Sequence, residues 1–240
     1  MKTIINCMIA SMLLGATVSQ ADLYEFRFAG IGEEGDTITN EFALGVGEEQ
    51  FRMVVDITDP AAGYATFSFY NIGSTASVLS SVRLDEGSGI GLQLDTIINS
   101  YTPGYLAGDA DTVDFKVMNN ANIPPLQGIV FDADVGVVAN MATDLYTAAV
   151  LNGSGYESAE VLTLEMSYNA GSDLLAMLTS GELRVATKIQ GVEYPGSPGS
   201  SISEYFVNET AYTVIPEPAS VVLLVGASTM IGFVRRRFMA

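Results

Sequence analysis

Histidine and tryptophan are absent from the sequence, and the only cysteine is Cys7. Without histidine, the chain lacks the usual general base near neutral pH, Ser-His-Asp triads and histidine-ligated zinc or iron sites. Cys7 lies in a segment that we predict to be removed, so the mature chain has neither disulfides nor a thiol for catalysis or metal binding. The absence of tryptophan removes the side chain that most often stacks on sugars. Together these absences indicate a protein that is not an enzyme and holds no resident cofactor.

Basic residues are scarce, with 10 lysines and arginines against 28 aspartates and glutamates and a formal net charge of -18. Three of the ten are Arg235, Arg236 and Arg237, so the middle of the chain is more acidic still. An acidic surface repels phosphates, which excludes nucleic acid as a partner. The chain has 48% hydrophobic residues and 24 glycines, which is typical of one folded domain rich in turns.

The N-terminal residues have the pattern of a secretory signal peptide. Lys2 provides a positive start, residues 4–18 are apolar, and Ala21 ends a stretch of the kind that signal peptidase cleaves. We therefore predict a signal peptide at residues 1–21, with cleavage between Ala21 and Asp22. Residues 22–28 alternate polar and apolar side chains, which is a strand pattern and argues against a buried first helix.

The C-terminal residues have three parts in a fixed order: Pro216, Glu217 and Pro218, then apolar residues 219–234, then Arg235, Arg236 and Arg237. The two prolines keep the backbone extended and make Glu217 accessible to a peptidase. As a helix, the apolar part would be about 24 Å long, which is short for a hydrocarbon core of about 30 Å. We predict one short transmembrane helix that serves as a temporary anchor. The arginines would stay on the cytoplasmic side, leaving the preceding chain outside.

Residues 214–240 together resemble a PEP-CTERM sorting domain. The resemblance implies that the chain is a substrate of an exosortase, a membrane-embedded cysteine peptidase of bacteria. It also implies cleavage near Pro216, Glu217 and Pro218, an inner-membrane intermediate, and delivery to the cell surface or the extracellular polymer matrix. A plain single-pass anchor is the alternative. The resemblance names no activity for the preceding domain.

Residues 22–213 are predicted to form an all-β ectodomain, an antiparallel β-sandwich of jelly-roll type. Residues 51–57 and 65–70 alternate apolar and polar side chains on either side of a turn, which predicts a hairpin. Residues 135–151 fit either a helix or a buried strand, and residues 173–179 fit one or two helical turns. Further strands are predicted at residues 78–84, 90–97, 113–118, 161–168, 183–190 and 203–207.

Clustered aspartates give the only chemical site that the sequence suggests. Asp109, Asp111 and Asp114 lie in one loop, and Asp132 and Asp134 flank an alanine. Calcium prefers several oxygen ligands from such loops, so calcium is the cation that such a site would hold. The spacing lacks the glycine and the bidentate glutamate of an EF-hand. A solvated acidic turn is therefore the favoured interpretation, and a calcium site is the alternative.

Two functions agree with these features. The first is a structural or adhesive component of the cell surface or exopolysaccharide matrix, favoured by the two sorting signals and the missing catalytic residue types. The second is a secreted carbohydrate-binding module or a hydrolase that acts on polysaccharide. In that case Tyr101, Tyr105 or Tyr156 would replace tryptophan in sugar stacking, and a pair of carboxylates would do the hydrolysis.

Overall fold

The computed structural model describes residues 23–31, 41–87, 89–100, 113–118, 129–140, 150–151, 160–193 and 201–215. Residues Leu23–Ile215 form one compact unit, and the second unit comprises Met1–Asp22 and Pro216–Ala240. The second unit lies outside the described residues. The predicted signal peptide, the cleavage site at Ala21 and Asp22, the Pro216–Pro218 motif and the C-terminal apolar segment with its arginines therefore also lie outside them.

The described residues form eleven strands and two helices. The strands are β1 (Leu23–Ile31), β2 (Phe51–Asp59), β3 (Tyr64–Asn71), β4 (Val78–Glu86), β5 (Gln93–Ser100), β6 (Phe115–Val117), β7 (Val135–Ala139), β8 (Val150–Leu151), β9 (Val161–Ser167), β10 (Leu183–Glu193) and β11 (Ser201–Ile215). The helices are α1 (Glu41–Gln50) and α2 (Leu174–Ser180). Neither helix of this part of the chain has the length and apolar character that crossing a bilayer requires.

All eleven described strands belong to one antiparallel sheet, in the order β5-β9-β3-β2-β1-β11-β10-β4-β7-β6, with β8 paired to β4. The predicted all-β, antiparallel class is confirmed. The strands are joined in one sheet instead of being divided between two, because the long strand β11 pairs with both β1 and β10. The two end strands also approach each other, since the Phe115 backbone N–H donates to Asn99 Oδ1 at 3.3 Å.

Alternating side chains place one face of the sheet in a continuous hydrophobic core. In β3 and β9 every second residue is buried, including Phe67, Phe69, Leu162 and Leu164. Burial of each such side chain stabilises the fold by about 1.5–3 kcal/mol. Strand β4 differs, because eight consecutive residues from Val78 are buried and both of its faces are covered.

The predicted hairpin is confirmed as β2 and β3, whose register pairs Val55 with Phe67. Residues 173–179 do form a helix, α2, which begins with Asp173 accepting a hydrogen bond from the Ala176 N–H at 2.9 Å. It ends at Gly181 in the left-handed conformation, with φ of 78°. Within residues 135–151, the described parts are the strands β7 and β8, so the strand alternative holds there.

Helix α1 was not predicted, and its position depends on glycine. The Gly47 Cα faces the ring of Phe206, and a Cβ at that position would overlap the ring carbons. The absence of a side chain therefore lets the helix lie directly on β11. Ala43 and Val46 complete the buried side of α1.

The last residue of α1 is held by a buried hydrogen-bond network. Gln50 Nε2 donates to Asn71 Oδ1 at 3.2 Å, to the Thr75 carbonyl at 3.1 Å and to Ser77 Oγ at 2.8 Å. Gln50 Oε1 accepts from the Thr75 N–H at 2.8 Å, and Asn71 Nδ2 donates to the Ser77 carbonyl at 3.0 Å. The network ties α1 to the turn that follows β3 and satisfies these buried amides.

The second half of β11 is an exposed edge. Pairing with β10 ends at Val207, whereas pairing with β1 continues to Ile215, which lies opposite Leu23. Residues 209–214 are all exposed, and residues 210–215 carry no charge. Among the described residues, no strand pairs with the outer edge of this segment. An edge without a strand partner is a site where another strand can pair.

Candidate functional site

The predicted aspartates separate into different surroundings. Asp109 and Asp111 lie outside the described residues. Asp114 is exposed, and its Oδ2 accepts a hydrogen bond from Asn140 Nδ2 at 2.9 Å beside the end of β7. Asp134 Oδ2 instead accepts from the Glu86 N–H at 2.9 Å, at the end of β4. In the part of the chain that the structure describes, no three acidic, cysteine or histidine side chains are arranged to hold a metal ion.

A different group of side chains stands out on the outer face of β4, β10 and β11, opposite the hydrophobic core. The residues of this face alternate with core residues such as Val82, Leu84 and Phe206. Polar and charged residues are frequent on this face. Ser81, Arg83, Asp85 and Tyr205 are buried there, and Arg184 and Lys188 are partly exposed. Buried polar groups outside the hydrophobic core are candidate functional residues.

The strand register places three of these residues in one row. Lys188 of β10 lies opposite Ser81 of β4 on one side and Tyr205 of β11 on the other. Arg83 occupies the next row, between Gly136 of β7 and Ala186 of β10. Because both of its neighbours are small, the Arg83 side chain has room to turn toward Tyr205.

Two cations meet at the ring of Tyr205. The Arg83 Cζ is 5.7 Å from the ring centroid, and the Lys188 Nζ is 4.9 Å from it. Both distances are within the range of a cation–π interaction. Arg83 Nη1 also donates to Ser81 Oγ at 3.0 Å. We call Ser81, Arg83, Lys188 and Tyr205 the basic cluster.

The basic cluster contains charge that no carboxylate of the described residues neutralises. Arg83 is 6% exposed, and its buried Nε has no hydrogen-bond partner. Burial lowers the pKa of the Arg83 guanidinium, and the nearby Tyr205 opposes that shift. Lys188 is partly exposed. Among the described residues, neither cation forms a salt bridge.

This arrangement is unusual because cations are rare in the domain. Between Leu23 and Ile215 there are six: Arg27, Arg52, Arg83, Lys116, Arg184 and Lys188. Arg52 and Arg184 pair with carboxylates, Lys116 donates to Asn140 Oδ1 at 2.9 Å, and Arg27 is exposed. A third of the cations of a strongly acidic domain thus meet at one tyrosine.

The neighbouring pair, Asp85 and Arg184, has a structural role. Asp85 Oδ2 accepts from Arg184 Nη2 and from the Asp132 N–H, the latter at 3.1 Å. Arg184 also donates to the Val130 carbonyl at 2.6 Å, and its guanidinium lies 5.4 Å from the centroid of the Phe131 ring. The pair therefore fastens the segment before β7 to the sheet, and its charges are matched.

Sequence reasoning did not find the basic cluster. Its members lie on three strands, and alternation within residues 183–190 predicts which residues share a face but not which strand is adjacent. The scarcity of cations was the one available indication. No protein-family model, curated protein or solved structure matches the chain.

Proposed function

We propose that this protein is exported, processed at both ends, and acts without catalysis as a structural or adhesive component of the cell surface or exopolysaccharide matrix. The observation that supports this most directly is the extent of the folded unit. It begins at Leu23, one residue after the predicted start of the mature chain, and ends at Ile215, immediately before Pro216. Removal of both terminal segments would leave all eleven described strands intact.

The geometry of the last strand supports processing by an exosortase-type peptidase. Residues 209–214 are exposed, so the chain reaches Pro216 along a surface strand. Proline has no N–H to donate and disfavours a helix before it, so an extended backbone would continue through Glu217. Peptidases bind their substrates in extended form, often by adding them to a strand edge. The motif would then be accessible without unfolding the domain.

The apolar residues 219–234 would hold the chain in the inner membrane until cleavage, with Arg235, Arg236 and Arg237 on the cytoplasmic side. Signal peptidase and the exosortase-type peptidase would be its processing partners, and contact with the membrane would be transient. Cleavage near Pro218 would release an acidic β domain to the cell surface. The uncharged edge of β11 would be available there for association with other chains.

Mass spectrometry of the protein recovered from the exporting cell tests this proposal. We expect the mature chain to begin at Asp22 and to end near Pro216–Pro218. Replacement of Glu217 by alanine should leave the C-terminal segment uncleaved and the protein in the membrane fraction. Glu209→Ala is the matched control, because Glu209 is an exposed acid of β11 outside the motif and should be processed normally.

Two results would contradict the proposal. One is recovery of the intact chain from the cytosol, still carrying Met1 and Ala240. The other is normal C-terminal cleavage of a variant in which Pro216, Glu217 and Pro218 are all replaced by alanine.

A further inference from the structure

We infer that the basic cluster binds an oxyanion, either the carboxylate of an acidic sugar or a phosphate group. The cluster has two positive charges on one tyrosine ring and a hydroxyl beside them, and within the described ranges neither charge pairs with a carboxylate. The inference does not depend on the proposed export, because it uses only residues of the folded unit. If the proposed export were refuted, the inferred anion site would be unaffected, and the reverse also holds.

Arg83 is a buried cation whose hydrogen bonding is incomplete. Transfer of a guanidinium from water into a protein interior is costly unless it is paired and fully hydrogen-bonded. Here the side chain is buried, Nη1 donates to Ser81 Oγ, Tyr205 is a second hydroxyl partner of the guanidinium, and Nε has none. The lowered pKa of this group has the same cause, since burial disfavours its charged form. An anion bound beside Arg83 would supply the missing partner.

The donors that an anion needs are also present. Arg83 Nε and Lys188 Nζ are N–H donors, and no carboxylate in the part of the chain that the structure describes pairs with either. Ser81 Oγ accepts from Arg83, so its own hydroxyl hydrogen remains to be donated. Lys188 is partly exposed and provides the side from which a ligand would enter. The cross-strand neighbours of Arg83 are the small residues Gly136 and Ala186.

The charge of the whole domain discriminates between the two anions. With a net charge of -18 for the chain, the surrounding field opposes a phosphate dianion more than a carboxylate monoanion. We therefore expect glucuronate to bind more tightly than inorganic phosphate. An uncharged sugar such as glucose should not bind at this site.

Thermal unfolding of the full chain in non-ionic detergent tests the inference. The midpoint is measured with increasing glucuronate, inorganic phosphate or glucose at constant ionic strength, because a ligand of the native state must raise it. Lys188→Gln should weaken glucuronate binding about tenfold to a hundredfold, the usual effect of losing a hydrogen bond to a charged group. Lys116→Gln is the matched control. It makes the same change at an exposed lysine of β6 and should bind as the wild type does.

Each result has a definite meaning. A shift with glucuronate in the wild type and Lys116→Gln, lost in Lys188→Gln, supports an acidic-sugar site. A larger shift with phosphate, with the same dependence on Lys188, supports the site and assigns it to phosphate. No shift with either anion, or equal shifts in both variants, overturns the inference. Because Arg83→Met risks unfolding the domain, Tyr205→Phe is the second variant. It keeps the ring and should retain binding.

Discussion

Replacement of Gly47 by alanine should destabilise the domain, although alanine favours helices. In an exposed helix interior, glycine to alanine gains about 1 kcal/mol of intrinsic propensity. At Gly47 the new methyl group would lie 2.7 Å from Phe206 Cε2 and closer still to Cε1 and Cζ. Phe206 is fully buried, and its ring packs edge-on against Phe51 at 5.4 Å, so it has little room to move.

The magnitude follows from these opposing effects. Overpacking a well-filled core costs about 1–3 kcal/mol of stability. Because the new methyl group would make three close contacts with a ring that cannot move, we expect a cost at the upper end of this range. After the gain in propensity, we expect a net loss of about 2 kcal/mol. For a domain of this size that would lower the melting temperature by about 4–8 °C. Urea unfolding should show a lower midpoint with an unchanged slope.

Gly45 provides the matched control in the same helix. It is exposed, and a Cβ there would meet no atom within 4 Å, so Gly45→Ala should stabilise the domain by up to about 1 kcal/mol. Adding Phe206→Leu should make Gly47→Ala less costly, because the smaller side chain leaves space. If Gly47→Ala were as stable as Gly45→Ala, or if Phe206→Leu left its cost unchanged, the packing argument would be refuted.

Four further predictions follow from the fold. Asn71→Ala leaves buried partners of the α1 network without a hydrogen bond and should lower the unfolding free energy by about 1–3 kcal/mol, measured by urea denaturation. Gly181→Ala forces a side chain into the left-handed conformation and should cost about 1–2 kcal/mol, whereas Gly87→Ala should cost less. Val214→Lys places a charge on the exposed half of β11 and should abolish any concentration-dependent association seen by sedimentation. If the aspartates of residues 109–114 form only a solvated turn, calcium and a chelator should give the same melting temperature.

Each of these four predictions has a result that would contradict it. An Asn71→Ala domain as stable as the wild type would mean that the network contributes nothing net. Equal costs for the two glycine variants would remove the conformational argument at Gly181. Dimers that persist in Val214→Lys would place the association elsewhere, and a higher melting temperature in calcium would support a cation site.

Local periodicity predicted the strands well where one face is apolar and the other polar. The segments at residues 51–57, 65–70 and 161–168 coincide closely with β2, β3 and β9. The prediction failed where tertiary contacts override local preference. Helix α1 contains Gly45 and Gly47, which have low helix propensity, so it depends on tertiary contacts such as the packing of Gly47 on Phe206 and the hydrogen bonds of Gln50.

The lengths of some strands and their arrangement in a single sheet could not be predicted from local sequence patterns either. The segment at residues 203–207 is the buried part of a strand that extends to Ile215, because the rest of β11 is exposed and has no core pattern. The predicted strand at residues 90–97 is shifted to Gln93–Ser100 for a similar reason, since β5 is mostly exposed. The sequence predicts which residues are buried but not which strands are neighbours, so neither the single sheet nor the basic cluster was predictable.

The pairing of Leu23 with Ile215 means that the two ends of the folded unit meet across adjacent antiparallel strands. Their Cα atoms would be about 5 Å apart, as for any directly opposed pair. A two-residue Asn-Gly turn is long enough to join them. New ends opened in the exposed turn between β2 and β3, near Ala62, would then give a circular permutant with every described pairing preserved.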